Sequence, residues 1–96
     1  MKPSTALHAH REAIRNIVES HRAGNPHVFG SVIHGDDTDE SDLDPLVDPT
    51  PKTTLMDIAV IQVELEHLLG VTVDLLTPNA LPEKCRGTVL AEASPV

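Results

Sequence analysis

Of the three aromatic residue types that commonly fill a protein interior, this chain of 96 residues has one representative, Phe29, with no Trp and no Tyr. Its core must therefore be assembled from aliphatic side chains, which interlock only where helices and strands present them at regular intervals. The spacing is there. Leu55, Ile58, Ile61, Leu65, Leu68 and Leu69 recur with helical period; Thr54 followed by Asp57 marks the start as a capping-box variant and Gly70 marks the end. Val71-Thr72-Val73-Asp74-Leu75-Leu76, bounded by Gly70 and Pro78, predicts a strand. Leu7, Ile14, Ile17 and Val18 predict a surface helix over 4–22, with Ser4 as its N-cap and Gly24 as its stop. Asn25-Pro26 reads as a turn, His27–Phe29 as a short strand running into Gly30-Ser31, and 36–41 as an acidic loop. Residues 42–47 alternate like a second strand, closed by Pro49-Thr50-Pro51, and Pro82 opens a last helix over 82–92. The order helix, strand, strand, helix, strand, helix implies an α/β fold: a small mixed sheet of about three to four strands with helices packed against it. One domain spanning 1–96 is expected at this length.

Hydrophobic residues make up 40% of the chain, too many for a disordered polymer even at a net charge of -8. That acidity, with seven Lys and Arg in all, argues against direct binding of nucleic acid, whose affinity comes mainly from cationic side chains. Cys85 is the only cysteine, so no internal disulfide is expected and a reducing cytoplasm suits the chain. Asp57, Gln62, Glu64 and Glu66 interrupt the longest apolar stretch, and no membrane segment or signal peptide is expected.

The candidate chemistry lies in the acids of the second and third expected strands. Side chains two apart on a strand share a face, so Asp42 and Asp44 point the same way, about 7 Å apart. If the third strand lies beside them, Asp74 joins a cluster of carboxylates that repel one another unless a hard cation sits between them. Few oxygen ligands suit Mg²⁺, which takes its remaining ligands from water and phosphates. Gly30-Ser31 at a strand end offers backbone N–H groups and a hydroxyl to a phosphate. Alone, Gly-Ser is loop punctuation and Asp-x-Asp a solvated strand edge; their common spacing gives them weight. Asp37–Asp48 imitates a calcium loop but has Asp42 where that loop needs Gly, and no Lys-Ser or Lys-Thr makes a P-loop of Gly30–Gly35.

Gly30-Ser31, ten residues, then Asp42-Leu43-Asp44 resembles the signature of the minimal nucleotidyltransferases in the DNA polymerase β superfamily. Phe29-Gly30-Ser31-Val32, Gly35, Ser41-Asp42-Leu43-Asp44 and Val73-Asp74-Leu75 before Thr77-Pro78 extend the likeness from about Val28 to Ala93. The resemblance implies the polymerase β-like fold, ATP as substrate, and Mg²⁺ held by Asp42 and Asp44, with Asp74 as base or further ligand. It places Gly30, Ser31, His34 and Ser41 at the nucleotide. His34 stands where many members have Arg, and Pro45 replaces an aliphatic residue, removing a strand N–H so that an edge or a kink is expected there. Both departures bear on rate more than on fold.

Short members of that family act as antitoxins that adenylylate a tyrosine of a HEPN-domain toxin. The resemblance therefore implies transfer of a nucleotidyl group from ATP to a hydroxyl of a partner protein, in a possible hetero-oligomer. With no Tyr of its own, the chain must find any tyrosine acceptor on another molecule. The alternative is a catalytically weak binding module that neutralises its partner by contact. An antibiotic-modifying enzyme would need an acceptor domain for which this length leaves no room.

Overall fold

The computed structural model describes residues 2–96, and for Ser31 and His34 the backbone alone. Helices α1 (Pro3–Ala9) and α2 (Arg11–Ser20) replace the single helix expected over 4–22. His10, at φ -127° and ψ 24°, donates back to the carbonyls of Ala6 and Leu7 and accepts from the Ile14 N–H, ending one helix and starting the next. Neither Gly nor Pro marks this break, and Leu7, Ile14 and Val18 keep helical spacing across it, so periodicity conceals it. Ser4 is not the N-cap either: Lys2 holds that position and Pro3 the first helical one, where its missing N–H costs nothing. Nor does Gly24 stop a helix. α2 ends at Ser20, and Gly24 belongs to strand β1 (Ala23–Val28).

β1 pairs antiparallel with β2 (Leu46–Pro49) through Ala23↔Pro49, Gly24↔Asp48 and His27↔Leu46. Two residues of β1 thus oppose one of β2, a bulge at the Asn25-Pro26 pair that the sequence suggests is a turn. Asn25 takes φ 51°, and its amide donates to Asp48 at 2.8 Å, holding the bulge in the sheet. On its other side β1 pairs with β3 (Ser94–Pro95), a two-residue strand that no periodicity announces.

The expected strands 42–47 and 71–76 meet as a parallel ladder. Leu43 pairs with Val73 and Leu46 with Leu76, an unchanging offset. The N–H groups of Leu43, Asp74, Leu76 and Val47 donate to the carbonyls of Thr72, Leu43, Pro45 and Leu76, each at 2.9 Å. The rung absent from this regular series is the one Pro45 would donate to the Asp74 carbonyl, so regular strand geometry survives only from Leu46. β2, β1 and β3 thus form a three-stranded antiparallel sheet in that order, and 71–76, expected as a full strand, runs parallel along the other side of β2 through two isolated bridges.

α4 (Leu55–Leu69) carries the chain from β2 to 71–76. Its capping box is complete, with the Asp57 N–H on the Thr54 hydroxyl at 3.1 Å and the Thr54 N–H on the Asp57 carboxylate at 2.9 Å; Gly70 closes it at φ 67°. Ile61, Leu65 and Leu69 pack into one core with Leu43, Val47, Val73 and Leu75 from the sheet and with Ile14 and Val18 from α2. Gln62 and Glu66 also face the sheet, accepting the Leu75 N–H at 3.1 Å and the Val73 N–H at 3.2 Å. They cover the outer edge of 71–76, which would otherwise expose unpaired donors. A short 3₁₀ turn (Pro78–Ala80) and α5 (Glu83–Glu92) follow; the Arg86 guanidinium ties them together through the carbonyls of Pro78 and Leu81.

Replacing Gln62 by Leu makes α4 more apolar yet removes the acceptor of a partly buried N–H. The variant is expected to be less stable by about 1 kcal/mol or more, because an orphaned donor outweighs the added transfer energy. An unchanged or raised urea midpoint would contradict this role for Gln62.

Candidate active site

Because the ladder keeps one offset, Asp44 lies beside Asp74 and Asp42 beside Thr72. Their neighbours Leu43 and Val73 face the core, so Asp42, Asp44 and Asp74 all project from the opposite face of the sheet. Asp42 and Asp74 are exposed and Asp44 half-buried. Burial first, then the charges of Asp74 and Asp42, push the Asp44 carboxyl above its ordinary range. The three acids therefore stand as a row on an open face, where the sequence suggests a cluster around a cation.

β1 runs antiparallel to β2 and leaves the sheet after Val28, toward the end from which Asp42 and Asp44 enter. Gly30 follows at φ 81°, a conformation that favours glycine, and its carbonyl accepts the Ile33 N–H at 3.1 Å as the chain enters the single turn α3 (Ser31–His34). A Cβ at Gly30 would meet nothing within 4 Å, so the backbone conformation and not lack of space favours glycine there. Gly35, at φ 72°, turns the chain out of α3. The side chains of Ser31 and His34, both expected at the nucleotide, lie outside the described residues. Ser41 is already engaged: its hydroxyl accepts the Thr38 N–H at 2.8 Å and its own N–H donates to the Thr38 carbonyl at 3.0 Å.

Among the described residues, no three His, Cys, Asp or Glu side chains stand close enough together to enclose a metal ion. The donor chemistry nevertheless fits a hard cation. The row offers carboxylate oxygens only, its central member is held against its own ionisation, and an ion that keeps its waters and takes phosphate ligands needs one or two carboxylates rather than a cage. A cavity of about 580 Å³ lies elsewhere, between α2 and α4, lined by Asn16, Ile17, Ser20, Glu64 and His67. It is mostly apolar and holds none of the three aspartates.

Sequence reasoning missed Asp37, the one charged side chain buried among the described residues. Burial alone would raise its pKa, but the backbone N–H and hydroxyl of Ser4, its own N–H and the Lys2 charge together hold it below the ordinary carboxylate value. Nothing local in Asp36–Ser41 distinguishes Asp37 from the acids around it, because its partner is in α1.

The sequence model of the family described as Polymerase beta, Nucleotidyltransferase matches residues 12–96. The protein adenylyltransferase MntA of Thermococcus cleftensis is 35% identical over 86 residues, which are 90% of this chain and 84% of that protein. A solved structure provisionally assigned as a minimal nucleotidyltransferase superposes with TM-score 0.87 at 41% identity, covering 97% of this chain and 95% of that one. A toxin–antitoxin complex solved with AMP-PNP shares the fold at TM-score 0.70 and 15% identity, over 97% of this chain and 71% of that one. No helix among the described residues is long and apolar enough to cross a membrane. With its polymerase β-like sheet and this span of matched sequence, the chain belongs to the polymerase beta nucleotidyltransferase family, as a minimal nucleotidyltransferase enzyme.

Proposed function

We propose that this enzyme transfers an adenylyl group from Mg²⁺·ATP to a hydroxyl of a partner protein, as the antitoxin of a HEPN-type toxin in the cytoplasm. The observation that carries the reading is the row of Asp42, Asp44 and Asp74 on one open face, at the sheet end where Gly30-Ser31 turns outward. In this reading Asp42 and Asp44 bind Mg²⁺, which when present neutralises phosphate charge. The backbone at Gly30-Ser31 and the Ser31 hydroxyl hold the phosphates, with His34 and Ser41 at the edge of the nucleotide. Asp74 accepts the proton of the incoming hydroxyl, or serves as a further metal ligand. The acceptor oxygen bonds to the α-phosphorus, the bond from that phosphorus to the bridging oxygen breaks, and pyrophosphate leaves.

Transfer to a protein is supported by the name of the Thermococcus relative, and the toxin setting by the complex that shares the fold. The surface adds support of its own. α4 is apolar on its outer side as well as its inner one, with Leu55 91%, Met56 71% and Val63 51% exposed, a stripe suited to being covered by another protein. A contact-only antitoxin is the second reading, and the absent Pro45 rung beside Asp74 is what favours it.

The intact mass of the protein encoded beside this one, after incubation with this chain, Mg²⁺ and ATP, separates the two. An added adenylyl group that disappears with Asp42→Asn/Asp44→Asn is expected; an unmodified partner in a stable complex would establish contact alone.

Stability supplies a further check. Because the Asp44 pKa is raised on folding, its ionisation opposes the fold: the wild type loses stability relative to Asp44→Asn as pH rises through that pKa and regains it below. Without divalent cations Asp44→Asn is thus expected to be as stable as wild type or more so at pH 7. Mg²⁺ should stabilise the wild type selectively, by about 2.7 kcal/mol at 100 times its dissociation constant. Equal thermal shifts in both proteins would remove Asp44 from the metal site.

A further inference from the structure

Asp37 is buried to 2% exposure, and both of its carboxylate oxygens are used on one residue. One accepts the Ser4 backbone N–H at 2.7 Å and the other the Ser4 hydroxyl at 2.8 Å, across 33 positions of sequence. Ser4 lies in the first turn of α1, where backbone N–H groups lack helical partners and where Lys2 contributes no side-chain cap. The cap of α1 is therefore supplied by a distant loop.

The loop is the one that connects the two halves of the site. It leaves α3 at Gly35, is anchored at Asp37, folds through the reciprocal Thr38–Ser41 turn, and delivers Asp42 directly after Ser41. An apolar anchor would hold such a loop by packing without a fixed rotation, whereas two directional bonds to one residue fix both position and rotation. We propose that Asp37 is a positioning residue for the nucleotide site: its clasp on Ser4 sets Asp42 and Asp44 at their working separation from the Gly30-Ser31 turn. The inference rests on the reading of that site as a nucleotide site.

The probe is Mg²⁺ with α,β-methylene-ATP, which cannot transfer its adenylyl group, titrated calorimetrically into the full chain. Asp37→Ala is expected to weaken binding about tenfold or more, on the scale of one to two lost charge-assisted hydrogen bonds, and Ser4→Ala to weaken it less in the same direction. Asp37→Asn can still accept the Ser4 N–H and donate to the Ser4 hydroxyl, and should recover to within about threefold of wild type. Thr54→Ala, which loses the hydroxyl that accepts the Asp57 N–H at the start of α4, away from the loop and from the three aspartates, should bind like wild type and so separates positioning from general loss of stability.

Wild-type affinity in both Asp37→Ala and Ser4→Ala would overturn the proposal, as would an equal loss in Thr54→Ala. If Asp37→Ala does not fold by circular dichroism, Ser4→Ala, which keeps the carboxylate, decides alone. A wild type that binds no better than Asp42→Asn/Asp44→Asn would instead overturn the nucleotide reading itself.

Discussion

The parallel ladder between 42–47 and 71–76 gives this molecule its two faces. Its offset sends Leu43, Val47, Val73 and Leu75 into the aliphatic core and leaves Asp42, Asp44 and Asp74 on the other side. A slip of 42–47 by one residue would bury Asp42 and Asp44 and expose Leu43 and Val47, and a slip of 71–76 would do the same to Asp74 against Val73 and Leu75, so the hydrophobic pattern enforces the register that keeps the acids on one face. Parallel pairing also demands a long crossover, and α4 is that crossover. Its inner residues fill the core while Gln62 and Glu66 cap the N–H groups on the ladder's free edge. The chemistry-bearing row is thus a by-product of how an aliphatic core packs.

Much of this was legible because the determining signals are local. Thr54 and Asp57 at one end and Gly70 at the other define α4, and all three act as their residue types suggest. The spacing of Asp42 and Asp44, with Asp74 in an otherwise apolar run, led to the shared face. What could not be read was set by partners far along the chain. The Asn25-Pro26 turn became a bulge because Asp48 binds the Asn25 amide; β3 exists because the end of the chain finds β1; and Asp37 is buried because Ser4 meets it. The break at His10 is different, since the apolar positions on either side remain in phase and leave no trace of it.

Pro45 shows how local chemistry and tertiary pairing divide the work. Its missing N–H does not make the segment an edge, since 71–76 still pairs on both sides of it through Leu43, the Pro45 carbonyl and Val47. The lost rung falls between Asp44 and Asp74, and there the backbone is held only by the bonds before and after. On the proposed reading, this is the part of the ladder nearest the carboxylates that would gather around an ion, and a reduced rate would originate there.

Charge completes the argument. All four arginines are engaged with groups among the described residues. Arg11 bonds to His8, Arg15 to the Val96 carbonyl, Arg22 to Asp57 and Arg86 to the turn before α5. A chain of net charge -8 that commits its arginines to its own fold has little cationic surface with which to neutralise a triphosphate. Backbone N–H groups at the Gly30 turn can orient phosphates but carry only partial charge. On the proposed reading, full positive charge must arrive with the substrate as a metal ion. The exposed carboxylate row favours that entry: like charges in water repel weakly enough to be tolerated by the fold, and strongly enough at half-buried Asp44 to reward a cation.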